Sequence, residues 1–237
     1  MSYPKILVAA PTSDHKDYCL KQWSNYLLGL TYPNKEIFIV DNSKDPLYHQ
    51  KIISLGLPCV HHRPLGMTDL KEIITSGQNL IRDKFLREKF DYLFLNESDQ
   101  FAPPNIIEYL MLQKKFVIGL PYFISGVTNT QLICFKKESW GAVRNYDPIF
   151  HDEGFIFFDG TITPVYQLGF GCLLIHRSIV ERLPFRVDMN NPYGNHSDTY
   201  FHNDCHDNHI PVYADLGHMS YHWNKDWWKV IDKENSK

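Results

Sequence analysis

No run of apolar residues in this chain approaches the roughly 20 that a membrane-spanning helix needs. The opening, Met1-Ser2-Tyr3-Pro4-Lys5, leads straight into a strand-like segment without the apolar core of a secretion leader. Cysteine is sparse: Cys19, Cys59, Cys134, Cys172 and Cys205 are odd in number and form no Cys-x-x-Cys pair. That argues against a disulfide framework and fits reduced thiols in a cytoplasmic setting. There is no basic excess either. A formal net charge of −3 argues against a chain built to coat nucleic acid, while leaving room for a local basic groove. Repeats, low-complexity tracts and flexible linkers are also missing. The expectation is a soluble cytoplasmic enzyme.

What is present is an alternation of short apolar runs and longer amphipathic ones. Lys5–Ala10, Glu36–Val40, Asp91–Leu95 and Phe116–Leu120 read as strands buried on both faces. Between them, Asp17–Leu30 and Asp69–Lys89 read as helices, the second with Leu70, Ile73, Ile74, Leu80, Ile81 and Phe85 on one face. Pro103-Pro104 introduces another helix over Ile106–Leu112. This order predicts βαβ units, a mostly parallel sheet and an α/β fold. Pro11-Thr12-Ser13, Asp41-Asn42-Ser43 and Glu97-Ser98-Asp99 each follow a strand. In open sheets ligands bind beyond the carboxyl ends of the strands, so these clusters should share one crevice. The second half carries short strand-like runs (QLICF, FIFF, YQLGFGCLLIHR), a helix over Ser178–Leu183, a polar loop at Met189–His196, a helix over Asp198–Asn208 and a strand over Ile210–Ala214.

Glu97-Ser98-Asp99 closes a buried strand with two carboxylates one residue apart. Such oxygen donors suit Mg²⁺ or Mn²⁺ bound together with phosphate and water. The competing reading is an inert, solvated acidic turn.

Lys5–Asp45, with its apolar strand, Pro-Thr turn and YPNKEIFIVDNSKD stretch, resembles the opening of family-2-like glycosyltransferases of the GT-A fold. DYLFLNESD is similar to their aspartate-x-aspartate strand end, QLGFGCLLIHRSIVERLPF to their glycine-rich acceptor segment, and SDTYFHNDCHDNHIPVYAD to the region that usually begins Glu-Asp. The resemblance implies a Rossmann-like three-layer sandwich forming one domain. Residues 1–120 would be its nucleotide-sugar half, 121–222 its acceptor half and 223–237 a Trp/Lys-rich tail. It implies a metal-dependent transfer of a sugar from a UDP- or GDP-sugar to an acceptor hydroxyl. Pro11, Thr12, Asp41, Asn42 and Ser43 would contact the base and ribose. Gln78 and Arg82 would lie near the base or diphosphate, Arg82 having the alternative of a solvated helix charge. Ser98, between the two acids, would belong with them to the nucleotide-sugar site. Asp99 would be the main ligand of Mn²⁺ or Mg²⁺, with Glu97 reaching the ribose or a metal-bound water. His222 would complete the metal shell, in competition with His218. Asp198 would be the general base of an inverting reaction; the competing reading is that Ser197 or Asp198 caps the helix. Two departures stand out: Glu97 replaces an aspartate, and Ser197 replaces the usual glutamate.

Other readings compete. His202 and His206 are four apart, a spacing that can bind zinc in a hydrolase, but HNDCH lacks the glutamate of helical zinc proteases, and a solvated helix face is the simpler expectation. A nucleotidyltransferase would need a glycine-rich loop that APTSDHKDY lacks. A nucleotide-sugar-binding protein without catalysis is the third alternative. Trp223, Trp227 and Trp228 would either fold over the donor or pack the tail onto the domain. The acceptor is open: a glycan, a small molecule, a protein side chain or a modified nucleobase.

Overall fold

The computed structural model describes residues 3–125, 130–139, 145–148, 160–190 and 196–223. In chain order the elements are β1 (Ile6–Thr12), α1 (Leu20–Gly29), β2 (Lys35–Asp41), α2 (Tyr48–Ser54), β3 (Cys59–His61), α3 (Leu70–Arg87), β4 (Tyr92–Leu95) and β5 (Gln100–Phe101). Next come α4 (Ile106–Leu112), β6 (Val117–Gly119), β7 (Tyr122–Ser125), β8 (Thr130–Ser139), β9 (Asn145–Pro148), β10 (Ile162–Val165) and β11 (Gln167–Leu168). The last are β12 (Leu173–His176), α5 (Arg177–Arg182), α6 (Ser197–Asp207), β13 (Val212–Asp215) and β14 (Tyr221–His222).

Eight strands form the central sheet in the order β10-β13-β6-β12-β4-β1-β2-β3. The pairs β1–β2, β1–β4, β2–β3 and β6–β13 are parallel. β12 runs antiparallel between β4 and β6, and β10 antiparallel at the edge. The sheet is therefore mostly parallel, as the βαβ order predicts. The reversed strand β12 leads directly into α5, which starts at Arg177.

Alternation along the strands sorts the core into two layers. Leu7, Ala9, Leu93 and Leu95 face Ile81 and Phe85 of α3, Ile179 of α5 and Phe201 of α6. Ile6, Val8, Ala10 and Ile39 face Trp23 and Leu27 of α1, Ile52 of α2 and Ile107 and Leu110 of α4. Helices on both faces of one sheet make the three-layer α/β sandwich. α3 starts where it does because the Asp69 carboxylate accepts from the amides of Lys71, at 2.8 Å, and Glu72, at 3.4 Å.

α2, β3 and the edge strand β10 have no counterpart in the sequence reading. α2 and β3 span seven and three residues, too few for a period to show. The strand-like FIFF run, most of the Met189–His196 loop, and Trp227 and Trp228 of the tail lie outside the described residues.

Candidate functional site

A cavity of about 800 Å³ opens where β1, β2 and β4 end. Every site residue expected from the sequence lines it except Asp41 and Arg82. Pro11 and Thr12 come from the end of β1, Asn42 and Ser43 follow β2, and Glu97, Ser98 and Asp99 follow β4. Gln78 enters from α3, Asp198 from the first turn of α6, and His222 from β14.

The turn after β4 is held from both sides. Trp23 donates its indole N–H to Asn96 Oδ1 at 3.0 Å, and the Asn96 amide donates to the Gly171 carbonyl at 3.1 Å. The Glu97 N–H reaches the same carbonyl at 3.2 Å. The glycines of the QLGFGC segment make this approach possible. A Cβ on Gly169 would lie 1.9 Å from the Tyr122 hydroxyl, and one on Gly171 2.6 Å from Tyr122 Cε1. Any larger residue would push β12 away from the acidic turn.

At the cavity floor, Asp99 is 1% exposed. Its Oδ2 meets His222 Nε2 at 3.0 Å and the Tyr18 hydroxyl at 3.2 Å, and forms an ion pair with Lys16. The pairing of β5 with β14 sets His222 opposite Gln100 and so beside Asp99. Burial works to raise the Asp99 carboxyl, but the His222 hydrogen bond and the Lys16 charge outweigh it and hold it at about 2. Glu97 behaves oppositely. Removal from water, then the negative charges of Asp99 and Asp198, push its carboxyl up to about 8. Burial also raises Asp198, against the backbone N–H of Thr199, which bonds its Oδ1 at 2.7 Å. α6 begins at Ser197 with His196 in the capping position, so neither Ser197 nor Asp198 is the N-cap.

Residues of the opposite wall carry buried polar atoms that have no partner among the described residues. Thr12 Oγ1, Asn42 Oδ1 and Gln78 Oε1 are all buried and unpaired, an arrangement that normally signals a missing bonding group. Gly77 of α3 lets Asn42 sit close, since a Cβ there would fall 2.9 Å from Asn42 Oδ1. The Ser43 hydroxyl accepts from the Asp14 N–H at 2.9 Å and donates to Asp41, tying the β1 and β2 loops together.

Two sequence expectations are corrected here. Asp41 does not line the cavity; it lies behind the wall, fully buried, bonded to Ser43 and to His61 Nδ1 at 2.9 Å. Arg82 does not line the cavity, and its partly exposed side chain is not a free helix charge. Its guanidinium donates to the carbonyls of Val180 at 2.8 Å and Glu181 at 2.9 Å, capping α5. The histidines of α6 are not a solvated face. His202 is fully buried against Phe170 and Phe201, its Nδ1 donating to the Asp198 carbonyl at 2.7 Å. His206 stacks on Tyr166 at 3.9 Å with its Nε2 3.0 Å from that residue's carbonyl oxygen. One ring nitrogen of each is thus held by a backbone carbonyl, and among the described residues the pair belongs to no set of three ligand groups, which leaves a zinc hydrolase at this pair without support. His218 pairs with Asp215 at 2.8 Å, away from Asp99.

Sequence reasoning missed Lys16, Tyr18 and Tyr122. Lys16 was legible as the cation following the Pro11-Thr12-Ser13 turn. The aromatics carried no signal, because only the fold brings them to Asp99.

A divalent cation fits this corner chemically. Asp99 and His222 supply oxygen and nitrogen donors, His222 Nδ1 is buried without a partner among the described residues, and the charges of Asp99 and Asp198 add to burial in raising the Glu97 carboxyl. Glu97 is not drawn in tightly with the other two. Among the described residues, the ligand atoms that gather as a set of three within 4.8 Å belong to Asp41, His49 and His61.

No protein-family model matches the chain, and no curated protein sequence matches it. Solved structures do. The mannosyltransferase PcManGT from Pyrobaculum calidifontis, in complex with GDP-Man and Mn2+, matches at 12% identity and a TM-score of 0.54, over 91% of this chain and 58% of that one. Residues 1–349 of TarS from S. aureus match at 13% and 0.56, over 96% and 63%. GalNAc-T7 with UDP, GalNAc and Mn2+ matches at 12% and 0.62, over 92% and 43%. The chain thus spans less than two thirds of each of these proteins. Likeness at such identities carries the architecture, and with the mostly parallel eight-stranded sheet between two helical layers it leads to one conclusion: the chain has the GT-A fold, the fold of these glycosyltransferases.

Proposed function

We propose that the protein is a metal-dependent glycosyltransferase that moves a hexosyl group from a UDP- or GDP-sugar to an acceptor hydroxyl with inversion. The observation that carries this reading is the meeting, in one cavity, of the Asp99–His222 pair, Asp198 and the unpaired acceptors of Thr12, Asn42 and Gln78. The last three suit the donor groups of a base and ribose.

Asp99 and His222, with Glu97, would hold Mn²⁺ or Mg²⁺, which supplies positive charge to the departing diphosphate. Lys16 reaches the same corner and provides a second, protein-borne positive charge. Asp198 takes the proton of the acceptor hydroxyl as its oxygen bonds to the anomeric carbon and the bond to the diphosphate breaks. Burial raises the Asp198 carboxyl, which makes it a better proton acceptor than an exposed aspartate. Residues 121–222 would receive the acceptor, and Ile124, Ile133 and Phe170 give that side of the cavity an apolar wall. No helix among the described residues is long and apolar enough to cross a membrane. All five cysteines are buried free thiols, in keeping with a cytoplasmic enzyme.

The test is donor consumption with UDP- and GDP-hexoses in the presence of Mn²⁺, followed by NMR of the product's anomeric configuration. Asp198→Asn should retain donor binding and lose transfer by at least about a hundredfold. Retained configuration in the product would overturn inversion. Tight donor binding without turnover would reduce the protein to a nucleotide-sugar binder.

A further inference from the structure

We propose that Asp41, His49 and His61 form a second cation site, for zinc, behind the wall of the cavity and separate from the Asp99 corner. The ligand atoms of these three residues lie within 4.8 Å of one another. Three elements bring them there. Asp41 ends β2 and His61 ends β3, and the parallel register sets the two directly opposite each other. His49 comes from the first turn of α2, which covers this face of the sheet, its ring centroid 6.1 Å from that of His61.

Each group is already oriented. His49 Nδ1 lies 2.7 Å from the Pro46 carbonyl, so the ring donates there and turns the lone pair of Nε2 outward. Metal-bound histidines are commonly fixed in this way by a carbonyl on the other nitrogen. Asp41 has Oδ1 committed to Ser43, whose N–H bonds it at 2.9 Å, while Oδ2 faces His61 Nδ1 at 2.9 Å. A cation can take the place of the hydrogen bond between them. The Asp41 carboxylate is 0% exposed, and its ion-pair partner among the described residues is His61. A buried charge so lightly compensated gains from a dication.

The donor set selects the metal. Zinc binds imidazole nitrogen and carboxylate oxygen at about 2.0–2.2 Å in a tetrahedron, so its ligand atoms lie roughly 3.3 Å apart. A small shift of the two half-buried histidines toward Asp41, with His49 keeping its Pro46 bond, would close the gap from the observed spacing. Two imidazoles favour zinc over Mg²⁺ or Mn²⁺, which prefer oxygen. Three protein ligands leave the fourth position to water. Asn42 and Ser43 follow Asp41 directly and line the cavity, so an ion here would stiffen the wall. The inference stands independently of the proposed transferase activity.

The test uses the tag-free, metal-stripped chain titrated with Co²⁺, whose visible bands report low-coordinate nitrogen and oxygen ligation, and with Zn²⁺ by calorimetry. The expected result is one tightly bound equivalent that persists in Asp99→Ala. It should weaken by at least about tenfold in His49→Ala and in His61→Gln. Should His49→Ala fail to fold, His49→Gln keeps the ring's volume and provides the same reading. Absence of a bound equivalent would overturn the proposal. So would an equivalent that survives the His49 and His61 changes and vanishes with His222→Ala, because the ion would then sit at Asp99.

Discussion

Asp99 and His222 are 123 residues apart in the chain and 3.0 Å apart in the fold. The contact is made by two two-residue strands, β5 and β14, which pair antiparallel. The Trp223 N–H then reaches the Asp99 carbonyl at 2.8 Å and locks the register. One carboxylate thereby gathers His222, Lys16 and Tyr18.

If this pair holds the cation, Asp99→Asn and His222→Ala should each weaken Mn²⁺ binding by at least about tenfold. The measurement is the Mn²⁺-dependent rise in melting temperature with UDP or GDP present. An undiminished rise in both variants would remove the cation from this corner.

Lys16 shares Asp99 Oδ2 with any incoming cation. Lys16→Met should therefore tighten Mn²⁺ binding and loosen nucleotide-diphosphate binding, each by a few fold, since the side chain is partly exposed. Calorimetry with each ligand alone separates the two. Affinities that move in the same direction would contradict this role.

Gly171→Ala should cost about 1–3 kcal/mol of stability. Its Cβ would lie 2.6 Å from Tyr122 Cε1 and 2.8 Å from Gln100 Cδ, and neither buried ring nor amide has room to yield. The urea midpoint is the readout, and an unchanged midpoint would mean that β12 moves freely.

His202 sets a pH dependence of stability. Burial lowers its pKa from the ordinary 6.5 to about 4, so between those values the unfolded chain binds a proton that the folded chain refuses. Stability from this residue is full above pH 6.5 and falls as pH drops toward 4, by up to about 3 kcal/mol. Urea unfolding at pH 7 and pH 5 should show a steeper loss for the wild type than for His202→Leu. Equal slopes would show that another group dominates.

Arg82→Ala should lower the melting temperature by an amount equivalent to about 1–3 kcal/mol, the value of charged hydrogen bonds to the α5 carbonyls. Nucleotide affinity should not change. A selective loss of nucleotide binding would return Arg82 to the diphosphate.

The sequence alone determined the sheet and the side on which its ligand site opens. The runs over residues 6–10 and 37–40 are apolar at consecutive positions, which suits a strand covered on both faces, and parallel topology sends their carboxyl ends to one edge. Thr12, Asn42 and Asp99 therefore reach a common cavity for reasons local to each strand. Other placements belong to the tertiary structure. Arg82 and Gln78 are four apart on α3, yet one caps α5 while the other lines the cavity; periodicity gives a face but not what covers it. His222 and His218 share one short segment, and the pairing of β14 with β5 decides which of them meets Asp99. Two-residue strands have no period to read. Their position is fixed by contacts across the whole chain, and so are the His222 and Lys16 contacts that hold the Asp99 carboxyl low and the burial that raises Glu97.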